Sequence, residues 1–234
     1  MQALNDEKAR SALAKVCSLA YERGYICGTE GNFSLKLNDC TLLTTPAGSC
    51  KGSLNESDFV LTNLNGELLH TPSNLGKKAS TELKMHLVVY ASRPDVLAVA
   101  HAHPTTAVAF TIAGKSLNRC VMPESILTLG EIGLAPYATP STDEVPESIK
   151  AHLEHTDTIL LSHHGALTFG SDIFQAFYRL ETLEHHAKTL LLAHMLGGEK
   201  TLSAKQVEDL FAVCKVYGMT APKNAAKIIE AGTR

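Results

Sequence analysis

The chain has 234 residues, 44% hydrophobic and 19% charged, with a net charge of −3 at pH 7. That length and hydrophobicity allow a sizeable core without disulfide staples, and the mild acidity without a long basic run argues against nucleic acid or an anionic membrane as the main partner. No apolar stretch is long enough to cross a bilayer, the six scattered cysteines form no C-x-x-C pair, and the first residues carry acidic groups rather than a signal-type apolar run, so a cytoplasmic protein with reduced thiols is expected.

Residues 5–23 read as an amphipathic helix, with Leu13, Val16, Cys17 and Ala20 at helical spacing and Gly24 ending it. A turn-rich loop at 28–32 leads into short strands at 33–37, 41–45, 59–62 and 67–70, separated by Asn38-Asp39, the loop 46–52 and Asn65-Gly66. Ser80 is the expected N-cap of a helix running to about Ser92. A buried strand follows at 96–102, then a helix at 105–113 that ends at Gly114. Residues 127–134 read as irregular or extended, 144–154 as a helix and 158–162 as a second buried strand. A long helix at 172–196, capped by Ser171 and stopped by Gly197-Gly198, precedes a last helix at 202–217 with Ser203 as its cap. No repeat or linker interrupts the pattern, so one α/β domain over residues 1–234, with helices around a mixed sheet, is the simplest architecture.

The segment Val-Leu-Ala-Val-Ala-His-Ala-His-Pro at 96–104 carries the first chemistry. A strand repeats every two residues, so His101 and His103 project from one face, where a pair of imidazoles suits a divalent metal of the zinc type. A second apolar strand runs into His163-His164-Gly165. Adjacent strand residues face opposite sides, so only one of these histidines can join the pair. His164 is the better candidate, because Gly165 lets the backbone turn and approach closely. Three histidines leave a coordination position open, the catalytic arrangement. The competing reading is a set of satisfied core or surface histidines, the role expected of His152, His155, His185, His186 and His194.

Ser80-Thr81-Glu82 stands at a helix start. Its free N–H groups suit an anion, and Glu82 there can reach a nearby metal as a fourth ligand and proton acceptor. Capping by Ser80 and dipole balance by Glu82 account for the same residues without function. The loops Gly28-Thr29-Glu30-Gly31-Asn32 and Thr45-Pro46-Ala47-Gly48 expose backbone amides that can bind phosphate, or are plain turns.

Taken together, Gly31-Asn32-Phe33-Ser34, Thr45-Pro46-Ala47-Gly48, Ser80-Thr81-Glu82, His101-Ala102-His103-Pro104 and His164-Gly165 occur in the order and approximate spacing of the class II aldolase/adducin family, which the chain resembles over nearly its whole length. The resemblance implies a three-layer α/β/α sandwich around a mixed, largely antiparallel sheet. It also implies a homotetramer with active sites at subunit interfaces, and Zn2+ as cofactor. By it, His101, His103 and His164 hold zinc and Glu82 is both ligand and acid/base. Gly31, Asn32, Ala47, Gly48, Ser80 and Thr81 cradle the phosphate of a sugar substrate, and Tyr217 in Lys215-Val216-Tyr217-Gly218 is a catalytic residue reaching a neighbouring site. The implied reaction is reversible cleavage of a ketose 1-phosphate, such as fuculose 1-phosphate or a related deoxyketose phosphate, to dihydroxyacetone phosphate and an aldehyde. Ala47 departs from the family, which often has a hydroxyl residue there, and Met122 falls where a second tyrosine is known. Alternatives are a pentulose-phosphate dehydratase, decarboxylase or epimerase of the same family, or a non-catalytic interaction module like the adducin head.

Overall fold

A computed structural model describes residues 6–216 and 222–232. The strands are β1 (Asn32–Asn38), β2 (Thr41–Thr44), β3 (Val60–Thr62), β4 (Ala98–Ala102), β5 (Gly133–Ala135), β6 (Thr158–Leu161) and β7 (Gly165–Gly170). They form one sheet in the order β3-β2-β1-β4-β7-β6-β5. Among the described residues only β5 and β6 pair in parallel; the other pairs are antiparallel. The expected mixed, largely antiparallel sheet is therefore present.

Strand alternation explains the layers. In β4, Ala98, Ala100 and Ala102 join one core cluster and Val99 joins another, as a period of two requires. The first cluster lies under α1 (Asp6–Glu22), α3 (Thr105–Ile112) and α6 (Ile173–Met195). Its helices contribute Ala9, Leu13, Val16, Cys17 and Ala20 from α1, and Ile173, Ala176, Phe177, Leu180 and Leu183 from α6, the stripe of an amphipathic helix. The second cluster packs α2 (Leu83–Ser92) and α5 (Glu144–Ile149) onto the opposite face through Met85, Val89, Val145 and Ile149. Helices on both sides of one sheet make the three-layer sandwich. A satellite cluster joins α4 (Pro123–Leu129), α7 (Ala204–Val216) and α8 (Ala225–Gly232) through Ile126, Val207, Phe211 and Ile228.

Several elements differ from the sequence expectation. Residues 67–70 make only an isolated bridge, Thr62 to Leu68. The stretch 127–134 holds the end of α4 and the start of β5, and β7 and α8 are additional elements. Ser80 does not cap α2: the N-cap position is Glu82, without a side-chain cap, and Ser80 Oγ instead accepts from the Glu82 N–H at 3.3 Å. The cap of α6 is Asp172, which accepts from the Gln175 N–H, rather than Ser171. Past Ile149 the fifth helix tightens into a 3-10 turn at Lys150–His152.

Candidate metal centre and active site

His101 sits in β4 directly opposite Asn32 of β1 and Leu167 of β7. It lies on the same face as Val99 and points toward α2. His103 follows the strand end, its N–H donating to the Tyr25 carbonyl at 2.9 Å. The next helix, α3, is pinned by Glu184 of α6, whose carboxylate accepts from the Thr106 and Ala107 N–H groups at 2.9 and 3.0 Å. His164 comes from the β6–β7 turn. The left-handed residue there is His163, with φ 58°, rather than Gly165. Gly165 serves close approach instead: a Cβ on it would lie 2.5 Å from the Ala102 carbonyl oxygen, 2.7 Å from His103 Cδ2 and 3.0 Å from His101 Cε1. His163 faces away, exposed, with its ring edge toward Tyr137.

The three rings of His101, His103 and His164 converge, with centroids 4.9–5.0 Å apart. One nitrogen from each lies within 4.8 Å of the others, and such a group can hold a metal ion. Glu82, just ahead of α2, places Oε2 3.4 Å from His101 Nε2 and Oε1 3.2 Å from His164 Nε2. Asn32 Nδ2 donates to Glu82 Oε2 at 2.9 Å.

The tautomers test the fit. His101 Nδ1 faces the Ala166 carbonyl at 3.0 Å, and His103 Nδ1 faces Glu30 Oε2 at 3.1 Å. Both partners only accept, so both Nδ1 atoms carry the proton. The Nε2 atoms, 3.1 Å apart, then turn lone pairs into the same space as the Glu82 oxygens. Acceptors converging in this way call for a cation. Burial would raise the Glu82 carboxyl, but without a cation a proton on Nε2 of His101 or His164 donates to it, and these hydrogen bonds hold the group well below the usual carboxylate range. Burial, and then any positive charge taken up by His101 or His164, press His103 down to about 3. Near neutral pH the set therefore offers a carboxylate and a neutral His103, the protonation states that metal ligation needs.

The remaining candidates are arranged around this group. Gly31 has φ +69°, and a Cβ there would strike Ile26 Cγ2 at 2.6 Å and the His101 carbonyl oxygen at 2.9 Å; glycine is required. An isolated bridge from Pro46 to Ala79 sets the loop of Ala47 and Gly48 beside that of Ser80 and Thr81. The Ala47 N–H already donates to the Lys78 carbonyl at 2.8 Å, and the Thr81 hydroxyl meets Ser141 Oγ at 2.9 Å. A groove of about 610 Å³ runs along this loop pair, lined in part by Ala47, Ser49, Lys77 and Lys78. Tyr217 lies outside the described residues.

Sequence reasoning missed three supports of the site. His86 is fully buried four residues after Glu82, its Nδ1 2.7 Å from Ser34 Oγ, which also meets Tyr90 Oη at 2.8 Å; the i, i+4 spacing is the available signal. Lys51 is 3% exposed and its Nζ donates to the Thr29 carbonyl at 2.6 Å, a contact with no sequence signal. Glu30 lies in a loop whose sequence signal is its backbone alone.

A family model described as the Class II Aldolase and Adducin N-terminal domain matches residues 11–191, and the chain belongs to this family. It is an enzyme of the class II aldolase type. It is 36% identical over 174 residues to an L-fuculose phosphate aldolase of Methanococcus vannielii, covering 74% of this chain and 91% of that protein. It is 30% identical over 212 residues to a 3-oxo-tetronate 4-phosphate decarboxylase of Pectobacterium atrosepticum, covering 88% and 94%. A solved L-fuculose 1-phosphate aldolase superposes with a TM-score of 0.80 at 27% identity, over 92% of this chain and all of that one. No helix among the described residues is long and apolar enough to cross a membrane.

Proposed function

We propose that this chain is a zinc-dependent aldolase that reversibly cleaves a ketose 1-phosphate to dihydroxyacetone phosphate and an aldehyde. It works as a single-domain cytoplasmic homotetramer with active sites at subunit interfaces. The observation that carries the reading is the place of Glu82: its carboxylate lies against both His101 and His164 and is steadied by Asn32. His101, His103 and His164 hold the metal with Glu82 as a displaceable fourth ligand. When bound, zinc supplies Lewis-acid stabilisation of negative charge developing on the substrate's carbonyl oxygen.

In the synthetic direction Glu82 removes the proton from the carbon of dihydroxyacetone phosphate that forms the new bond, and returns it on cleavage. Asn32 holds Glu82 through Nδ2, while its Oδ1 is buried with no partner among the described residues and accepts from the substrate. Gly31, Asn32, Ala47, Gly48, Ser80 and Thr81 surround the phosphate, whose binding fixes geometry at a distance from the reacting carbon. Ala47 contributes its place in the loop rather than its amide, which Lys78 occupies. Tyr217 of the partner subunit delivers a proton to the aldehyde oxygen.

A second reading, decarboxylation of a 3-oxo acid phosphate, is favoured by the decarboxylase relative, which aligns over 88% of the chain. The same site would stabilise the charge left when carbon dioxide departs. Incubating the zinc-loaded protein with fuculose 1-phosphate, ribulose phosphates and 3-oxo-tetronate 4-phosphate separates the two. Dihydroxyacetone phosphate with an equimolar aldehyde supports the aldolase; carbon dioxide release alone overturns it.

A further inference from the structure

One carboxylate touches the triad from behind. Glu30 Oε2 lies 3.1 Å from His103 Nδ1, on the side of the ring away from the converging Nε2 atoms, so it is an outer partner rather than a fourth ligand. The corresponding outer partner of His101 is the neutral Ala166 carbonyl. Either acceptor suffices to fix a tautomer. A carboxylate in addition makes the imidazole a stronger donor to a cation.

The backbone that presents Glu30 is held on every side. The Glu30 N–H donates to the Cys27 carbonyl at 3.0 Å, and buried Lys51 grips the preceding Thr29 carbonyl. On the other side, Gly31 is wedged against Ile26 and the His101 carbonyl, and Asn32 is already in β1. Glu30 is thus aimed at His103 from a fixed base, although 49% of its side chain is exposed.

We propose that Glu30 is a positioning residue for the metal: it locks His103 in the Nδ1–H form and strengthens the hold of its Nε2 on the cation. This rests on the metal reading above. Zinc affinity, measured by competition with a chromophoric chelator, should fall about 10- to 100-fold in Glu30→Ala, as for other outer partners of metal-bound histidine. Glu30→Gln should lie between, since its amide oxygen still accepts but carries no charge. The visible absorption of the cobalt-loaded protein should shift in Glu30→Ala, while the metal-free melting temperature stays at the wild-type value, a result that a merely structural role would not give. Should Glu30→Ala fail to fold, Glu30→Gln decides through its affinity. Wild-type zinc affinity and cobalt spectrum in the variants overturn the role of Glu30 alone. A wild-type protein that binds no zinc overturns the metal reading and this proposal with it.

Discussion

Asn32 and His101 stand directly opposite each other across the β1–β4 ladder. The pairing that builds the middle of the sheet therefore also brings the Asn32 amide to the Glu82 carboxylate, 2.9 Å away. Asn32→Ala removes that donor while leaving the ladder intact. A hydrogen bond to a charged group is worth about 1.5–3 kcal/mol, so kcat/KM for the ketose phosphate should fall roughly 10- to 100-fold. Steady-state kinetics beside a thermal melt will check this; an unchanged kcat/KM removes Asn32 from the site.

Glu82→Gln keeps the size and much of the hydrogen bonding of the side chain but not its basicity. Turnover should drop by about 10²–10⁴, with zinc content and melting temperature close to wild type. The assay is release of dihydroxyacetone phosphate, and turnover at the wild-type rate would show that another group moves the proton.

Gly165→Ala tests the close approach at the β6–β7 turn. The added methyl would meet the Ala102 carbonyl oxygen at 2.5 Å and both neighbouring imidazoles. Backbone cannot yield as a flexible side chain can, so the cost should be about 1–3 kcal/mol of overpacking. It should also bring a loss of bound zinc, because the shift falls on two ligands. Denaturant midpoints and metal analysis after dialysis read the two effects separately.

The site was more legible in the sequence than its supports. His101-Ala102-His103 declares itself because a period of two on an apolar strand leaves both rings on one face. Glycine beside His164 marks a tight approach, although the structure gives the left-handed turn to His163. The strand β7 escapes because Gly165–Gly170 is bracketed by glycines and buried throughout, so a central strand shows none of the alternation a half-exposed one would. Ser80 resembles a cap by composition, yet the helix opens later because residues 78–82 are first committed to the bridge with Pro46 and the contact with Asn32. Proline at the first position of α4 was a readable start signal. Glu30 and Lys51 owe their roles to a fold that brings Glu30 to residue 103 and Lys51 to residue 29, and no local pattern encodes that.

His86 gives the metal-free protein a defined acid sensitivity. Burial first, and then any positive charge taken up by His101, press it from 6.5 to about 3, so the unfolded chain binds this proton at higher pH than the folded one. Stability therefore rises with pH between about 3 and 6.5 and is lost as pH falls through that window, by up to about 1.4 kcal/mol per pH unit for one site. His103 acts with the same sign. Urea midpoints of the metal-free protein at pH 7, 6 and 5 should decline, and His86→Gln should flatten the decline whatever its absolute stability. An equal slope in the variant would assign the acid loss to other groups.

The order of strands in the sheet has a further consequence for how the molecule assembles. The site residues lie near 32, 82, 101 and 164, and β1, β4 and β7 are neighbours in space though far apart along the chain. No short segment contains the whole set, which spans residues 32–164. A cation held by the full set would bind the folded chain better than the unfolded one and so favour the native state. At a hundred times its dissociation constant it would deepen the native well by about 2.7 kcal/mol. A cation in this site would thus tie the chemistry of the enzyme to the endurance of its sheet.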